Sequence, residues 1–258
     1  MGRLGTLVMV TVTMFLVLGC VAPPETKQPE EVEPKAVTEE GREVVEAPGV
    51  VKLQTEDGVT LVGTYLPGTT GKGVILLHML GRDRASWGDF GDHLNYQGYH
   101  VLLLDLRGHG ESTWRGREML DWRQFSSEDF KKMVLDVEAA KTFLEDQGVE
   151  KIGIIGASIG ANAALAYTAR NAIDWLVLLS PGLVYRGIEV ESAAKQYTNP
   201  VLIVVARDDK YSADSSNRLI AMFRGEKKLR IVDGSYHGTD LLRSDDIKQL
   251  VTEWILQH

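Results

Sequence analysis

Lys151-Ile-Gly-Ile-Ile155 runs directly into Gly156-Ala-Ser158-Ile-Gly160, and that in turn into Ala161-Asn-Ala-Ala-Leu-Ala-Tyr-Thr-Ala169. The first piece is short, apolar and rich in β-branched residues, the pattern of a buried strand. The last is built of residues that favour helix. Between them stands a serine with a glycine two positions to either side. A strand-to-helix reversal at that point forces the serine backbone into a cramped geometry, and the glycines keep Cβ atoms from clashing. It also lifts the hydroxyl above the sheet, next to the first helical N–H groups and the positive end of the helix. G-x-S-x-G in isolation occurs by chance in ordinary loops, and a serine there can simply cap a helix. The strand–turn–helix context is what gives the pattern its force.

Working outward, strands and helices alternate. Val50–Thr55 and Val59–Leu66 are alternating runs joined at Asp57-Gly58, a hairpin signal. Gly73–His78 and Tyr99–Asp105 read as strands around a helix over 85–97 that Gly98 closes. Ser126-Ser-Glu-Asp129 caps the next helix, whose apolar positions Phe130, Met133, Val134, Val137 and Leu144 fall at helical spacing until Gly148. Strands follow at 150–155, Asp174–Ser180, Pro200–Ala206 and Lys228–Val232, with helices over about 213–224 and 239–256. Gly68-Thr-Thr-Gly-Lys-Gly73 lacks phosphate-loop spacing and reads as a turn. The pattern predicts an α/β fold: a mostly parallel sheet with an N-terminal antiparallel hairpin and helices on both faces. Only about twenty residues separate Ser180 from Pro200, too few for a substantial cap domain. The site above the sheet is therefore expected to be open.

The 258 residues, 44% hydrophobic and 25% charged, suit one such domain plus extensions. A net charge of −8 with no basic stripe argues against nucleic acid as partner. Neither Cys-x-x-Cys nor His-Glu-x-x-His occurs, so no metal site is indicated. At the amino terminus Arg3 precedes an uncharged run, Leu4 to Val21, that contains Val17-Leu-Gly-Cys20, and Cys20 is the only cysteine. A basic start, an apolar stretch and small residues before a cut describe a secretory signal. With the cysteine at the cut, residues 1–19 resemble a bacterial lipoprotein signal peptide, which implies lipidation of Cys20 and a tether to the cell-envelope membrane; the alternative is an uncleaved anchor helix. Loss of Arg3 with the signal would move the net charge from −8 to −9. Pro23–Pro48 holds five of the eight prolines and eight glutamates, so residues 20–48 are expected to be a disordered spacer before a folded domain over 49–258.

The folded part resembles the α/β-hydrolase superfamily across residues 50–258. Several motifs stand in that family's order: His78-Met-Leu-Gly81 after the third strand, Asp105-Leu-Arg-Gly-His-Gly-Glu-Ser112 after the fourth, the Ser158 turn, an acidic site after 200–206, and Ser235-Tyr-His-Gly238 after the last strand. The resemblance implies Ser158 as nucleophile and His237 as its base. A serine hydroxyl needs such a base at neutral pH, and an acid must hold the imidazole in the right tautomer. Asp208 and Asp209 both lie in Ala206-Arg-Asp-Asp209, and the family spacing favours Asp209. Oxyanion donors are implied at the backbone N–H groups of Ile159 and Leu80, with Met79 second. Met79 departs from the family, which carries glycine there.

His109 is expected to be structural and His78 to hydrogen-bond within its turn; His93, His100 and His258 read as surface residues. Asp105 and Arg107 are expected to brace their loop. Trp87, Tyr185 and Tyr211 are assigned to packing. The function implied is hydrolysis of carboxylic esters, with an acyl-ester or other small-molecule substrate and no cofactor. The same apparatus would also serve an exported peptidase, amidase or thioesterase, and a non-catalytic binding protein on this scaffold is the alternative of another class.

Overall fold

In the computed structural model, which describes residues 49–258 together with Gly2, the chain opens on β1 (Gly49–Gln54) and β2 (Val59–Leu66). They pair antiparallel from Gly49↔Tyr65 to Gln54↔Thr60. The Asp57-Gly58 turn between them places Gly58 at φ +82°, and the Thr55 hydroxyl donates to Asp57 across it (2.7 Å). Apart from Gly2, residues 1–48, with the expected signal segment, Cys20 and the expected spacer, lie outside the described residues.

The remaining main strands are β3 (Lys72–Leu77), β4 (His100–Leu104), β5 (Lys151–Ala157), β6 (Trp175–Leu179), β7 (Val201–Ala206) and β8 (Lys227–Val232). Their order across the sheet is β1-β2-β4-β3-β5-β6-β7-β8. Only β2 runs against its neighbours; every pairing from β4 to β8 is parallel. Every residue of β6 and β7 is buried, as in a parallel sheet covered on both faces. The edge strand β8 instead carries Lys227, Lys228 and Arg230, charges that discourage pairing with another chain. A short hairpin, Trp114–Arg115 with Glu118–Met119, adds to the sheet beside the start of β2.

Helices α1 (Phe90–Tyr96), α2 (Ser127–Lys131), α3 (Met133–Asp146), α4 (Ile159–Tyr167), α5 (Glu191–Gln196), α6 (Lys210–Met222) and α7 (Asp245–Leu256) cover the two faces. One apolar core joins α3, α4, α5 and α6 to the sheet, and the other joins α1 and α7 to its opposite face. The capping box at α2 forms as its sequence requires, with Ser126 and Asp129 bonded reciprocally.

Several helices differ from expectation. The run over 85–97 is divided: a 3₁₀ turn, Arg84–Trp87, ends at Gly88, whose φ of +56° leaves the helical region, and α1 starts only at Phe90. The run over 239–256 likewise breaks at the extended Ser244 into a 3₁₀ segment, Gly238–Arg243, and α7. Helix α6 begins three residues earlier than its sequence suggested, directly after Asp209. Among the described residues no helix is long and apolar enough to cross a membrane.

Because β3 to β8 are parallel, their carboxyl ends deliver six loops to one edge of the sheet. These loops carry 78–81, 105–112, Ser158, 180–189, 207–209 and 233–237, the position at which open α/β sheets place their sites.

Candidate active site

The turn from β5 into α4 is as tight as its sequence implies. A Cβ on Gly156 would stand 2.5 Å from the Gly160 carbonyl oxygen, and one on Gly160 would stand 2.3 Å from the carbonyl oxygen of Leu77. Glycine at both positions thus lets α4 begin almost in contact with its own strand and with β3. Ser158 between them has φ +53° and ψ −114°, a strained backbone for a residue with a side chain. Its N–H donates to Leu179 O (2.8 Å), which ties the strained residue to β6.

His237, in the loop after β8, reaches both partners. Asp209 Oδ2 lies 2.6 Å from His237 Nδ1, and Ser158 Oγ lies 2.7 Å from His237 Nε2. A carboxylate can only accept, so Nδ1 carries the proton and Nε2 offers its lone pair to the serine hydroxyl. Asp208 takes no part: it is exposed and pairs with Lys210 Nζ at 3.0 Å. Burial pushes the Asp209 carboxyl up, but hydrogen bonds from His237, Ser212 and Ser180 together hold it below the usual carboxylate range. A charged acceptor therefore faces the imidazole.

Ser158, Ile159, Met79 and Leu80 line one cavity of about 330 Å³ with Tyr185, Arg186 and His237. The side chain of Met79 does not simply fill that cavity. It is buried in the α1–α7 core and packs against Gly238 and toward Ala157. The turn that carries Met79 and Leu80 is fixed from below by His78, whose Nδ1–H donates to Met79 O (2.9 Å) while Nε2 accepts from Leu106 N (3.0 Å). Burial drives the His78 ring down to about 4, so it stays neutral in this role.

The loop after β4 is braced rather than aimed at the cavity. Asp105 accepts from the N–H groups of Arg84 (2.7 Å) and Glu111 (2.9 Å) and pairs with the Arg84 guanidinium. Arg107 spans Asp136 (Nε–Oδ1, 2.7 Å) and Asp57 (Nη1–Oδ2, 2.8 Å). His109 bonds Arg107 O and stacks on Trp122 with centroids 5.2 Å apart. His100 meets the Tyr65 hydroxyl, His93 meets Thr252, and His258 meets Trp254 O. Trp87 is buried in the core and Tyr211 bonds a loop backbone, as packing roles would have it.

Tyr185, which could line a pocket but is read as packing, and Arg186, which the sequence does not mark, both wall the cavity. They sit on a second small hairpin, Val184–Tyr185 with Ile188–Glu189, inside the short stretch between β6 and β7. The site is consequently less open than that stretch's length suggested: the Tyr185 ring stands edge-on to His237, centroids 6.3 Å apart, and Ser158 is only 5% exposed. The Tyr185 hydroxyl bonds Ser212 (2.9 Å), and burial raises its phenol while the Ser212 and Ser158 hydroxyls act the other way. Ser212 could have been found, since it lies one helical turn after Asp209 at the start of α6. Nothing in the sequence around Tyr185 distinguishes it. Among the described residues no cluster of His, Cys, Asp and Glu is placed to hold a metal ion.

Residues 69–188 match the sequence model of the family described as "Serine aminopeptidase, S33". An uncharacterised protein of Mycobacterium tuberculosis is 27% identical over 243 residues, covering 83% of this chain and 80% of that one. A Pyrococcus furiosus esterase superposes with a TM-score of 0.65 at 22% identity over 82% of this chain and 92% of its own. A dienelactone hydrolase from Anabaena variabilis gives 0.66 at 22%, over 82% and 98%. The chain thus has the α/β-hydrolase fold, and its segment 69–188 is similar in sequence to a serine-hydrolase family.

Proposed function

We propose that the protein hydrolyses carboxylic esters through an acyl-enzyme. Ser158 attacks the acyl carbon as His237 Nε2 takes its proton, and the ionised Asp209 stabilises the imidazolium that forms. Backbone N–H groups of Ile159 and Leu80, or of Met79 in place of Leu80, bind the developing oxyanion. His237 returns the proton to the leaving alcohol, then activates the water that releases the acid. The observation that carries this reading is the continuous chain Asp209–His237–Ser158, at 2.6 and 2.7 Å, opening on a cavity.

An ester is favoured over an aminopeptidase substrate by the cavity wall. Cleavage next to a free α-ammonium calls for a carboxylate to receive that cation, and no acidic side chain lines the cavity. A short-chain aryl ester and an aminoacyl anilide, offered to wild type and Ser158→Ala, test the assignment. We expect turnover of the ester by wild type alone; activity confined to the anilide would overturn it. Labelling of the peptide that holds Ser158 by a fluorophosphonate separates an enzyme from a binding protein on the same scaffold.

Residues 1–19 are read as an export signal and Cys20 as the lipidated first residue of the mature chain, held off the membrane by the spacer 20–48. The support is the sequence pattern around Val17–Cys20. Incorporation of an alkynyl fatty acid into wild type but not Cys20→Ser, in a bacterial host, is the expected result.

A further inference from the structure

Of the residues that wall the cavity beside Ser158, Arg186 alone carries a permanent charge. Its guanidinium has no carboxylate within ion-pair distance among the described residues; it lies over the Phe130 ring, 5.8 Å from the centroid. The other walls, Met79, Leu80, Ile159 and Tyr185, are mainly apolar. An arginine at this point is not conformationally convenient. Arg186 and Gly187 form the two-residue turn of the hairpin, with φ of +51° and +89°. Such a turn prefers asparagine, aspartate or glycine at its first position, so an arginine there is strained.

The hairpin that bears this strain is fixed on three sides. The Tyr211 hydroxyl accepts from Val184 N (3.0 Å) and donates to Val184 O (2.7 Å). Asn162 on α4 donates to Ile188 O and accepts from Gly182 N, each at 3.0 Å. Gly187 rests on α2 so closely that a Cβ would stand 2.6 Å from that of Ser127. The cation is thus on a positioned backbone at the rim of an apolar pocket.

We propose that Arg186 is a specificity determinant that selects substrates bearing a carboxylate in addition to the scissile ester, that is, monoesters of dicarboxylic acids or esters of hydroxy acids. This rests on the ester-hydrolase reading of Ser158. Guanidinium and carboxylate match as a two-pronged, charge-assisted pair, and the apolar walls hold the intervening chain. The cavity, about 330 Å³, has room for a short dicarboxylic monoester.

The test uses binding and turnover separately. Monomethyl adipate and dimethyl adipate differ only in one carboxylate, and Ser158→Ala prevents their hydrolysis during titration. Calorimetry on that variant is expected to show the monoester binding about tenfold more tightly, with the preference lost on adding Arg186→Gln and partly kept by Arg186→Lys. Added sodium chloride should narrow the preference. Equal binding of the two compounds, or a preference that survives Arg186→Gln in a variant that keeps its melting temperature, overturns the proposal. In the wild type, the ratio of kcat/KM for mono-4-nitrophenyl adipate over its methyl ester should fall about tenfold with Arg186→Gln. Failure of Ser158 to take a fluorophosphonate would instead overturn the esterase reading, and the calorimetric result would still decide whether Arg186 binds carboxylates.

Discussion

The sulfur of Met79 occupies the space a Cβ on Gly238 would need, 2.7 Å from where that atom would sit. Gly238 has φ +57°, directly follows His237, and donates its N–H to the Ser180 hydroxyl (3.1 Å). The turn proposed to supply oxyanion donors and the loop that presents the base are therefore packed against each other. Gly238→Ala should cost about 1–2 kcal/mol from the left-handed backbone alone, and push either Met79 or His237 out of place. We expect a fall in kcat/KM for an aryl ester larger than the fall in stability explains. Met79→Ala in the same chain should restore part of the activity, and a double-mutant cycle in kcat/KM measures the coupling.

Arg107 supports the neighbouring loop at a depth where charge must be matched. It is 3% exposed and stands between Asp136, fully buried, and the partly exposed Asp57. Arg107→Ala leaves the Asp136 carboxyl with no cation and should destabilise the fold by about 3–5 kcal/mol. Burial already pushes Asp136 up to about 6, with Arg107 opposing that rise, so its removal raises the carboxyl further. A group whose folded value is raised contributes stability fully present below its unfolded value and lost as pH rises through the folded one. Urea midpoints should accordingly show a greater penalty for Arg107→Ala at pH 8 than at pH 5.

Two neutral histidines give the opposite slope on the acid side. Burial depresses both His78 and His109 to about 4, well below the 6.5 of a free imidazole. For groups with depressed values, stability is present above the unfolded value and lost as pH falls through the folded one. Between about pH 6.5 and 4 the unfolded chain binds these protons and the folded chain does not. His78 is the clearer test, since protonating Nε2 would break the bond from Leu106 N. His78→Gln should lower stability at pH 7 and flatten its decline from pH 6.5 to 4, each followed by urea unfolding.

Much of this arrangement was legible in local sequence. The glycines at 156 and 160 anticipated a turn whose closeness is measured in their missing Cβ atoms, and the mostly parallel sheet follows from the alternation of apolar runs with helices. The loops after β5, β7 and β8 then deliver the candidate serine, acid and base to one edge. What escaped sequence reading depends on contacts distant in the chain. Gly88 breaks a helical run by taking φ +56°, which propensity does not encode. Tyr185 ends a strand of two residues and Arg186 begins the turn after it, a unit too short for any periodicity that owes its place to Tyr211 and Asn162. The family spacing favours Asp209 over Asp208, and the start of α6 shows why: it turns the Asp209 carboxylate inward and that of Asp208 to solvent.

Asn162 offers the sharpest test of that distant control. It is fully buried on α4, one turn beyond Ser158, and its amide bonds two backbone groups of the segment that carries the cavity wall. Asn162→Asp keeps the shape but replaces the donor to Ile188 O with a second acceptor, so two oxygens face each other with nothing between them. A buried group left unpaired costs about 1–3 kcal/mol, and more when charged. Asn162→Ala loses both bonds without adding the repulsion, so it should be the milder change. Because the hairpin is held through this residue while the Asp209–His237–Ser158 chain is not, KM should rise for both variants, more for the aspartate. Fluorophosphonate labelling of Ser158 should persist in each at a concentration that saturates the wild type. Equal KM values for wild type and both variants would show that Tyr211 and Ser127 hold the hairpin without help from α4.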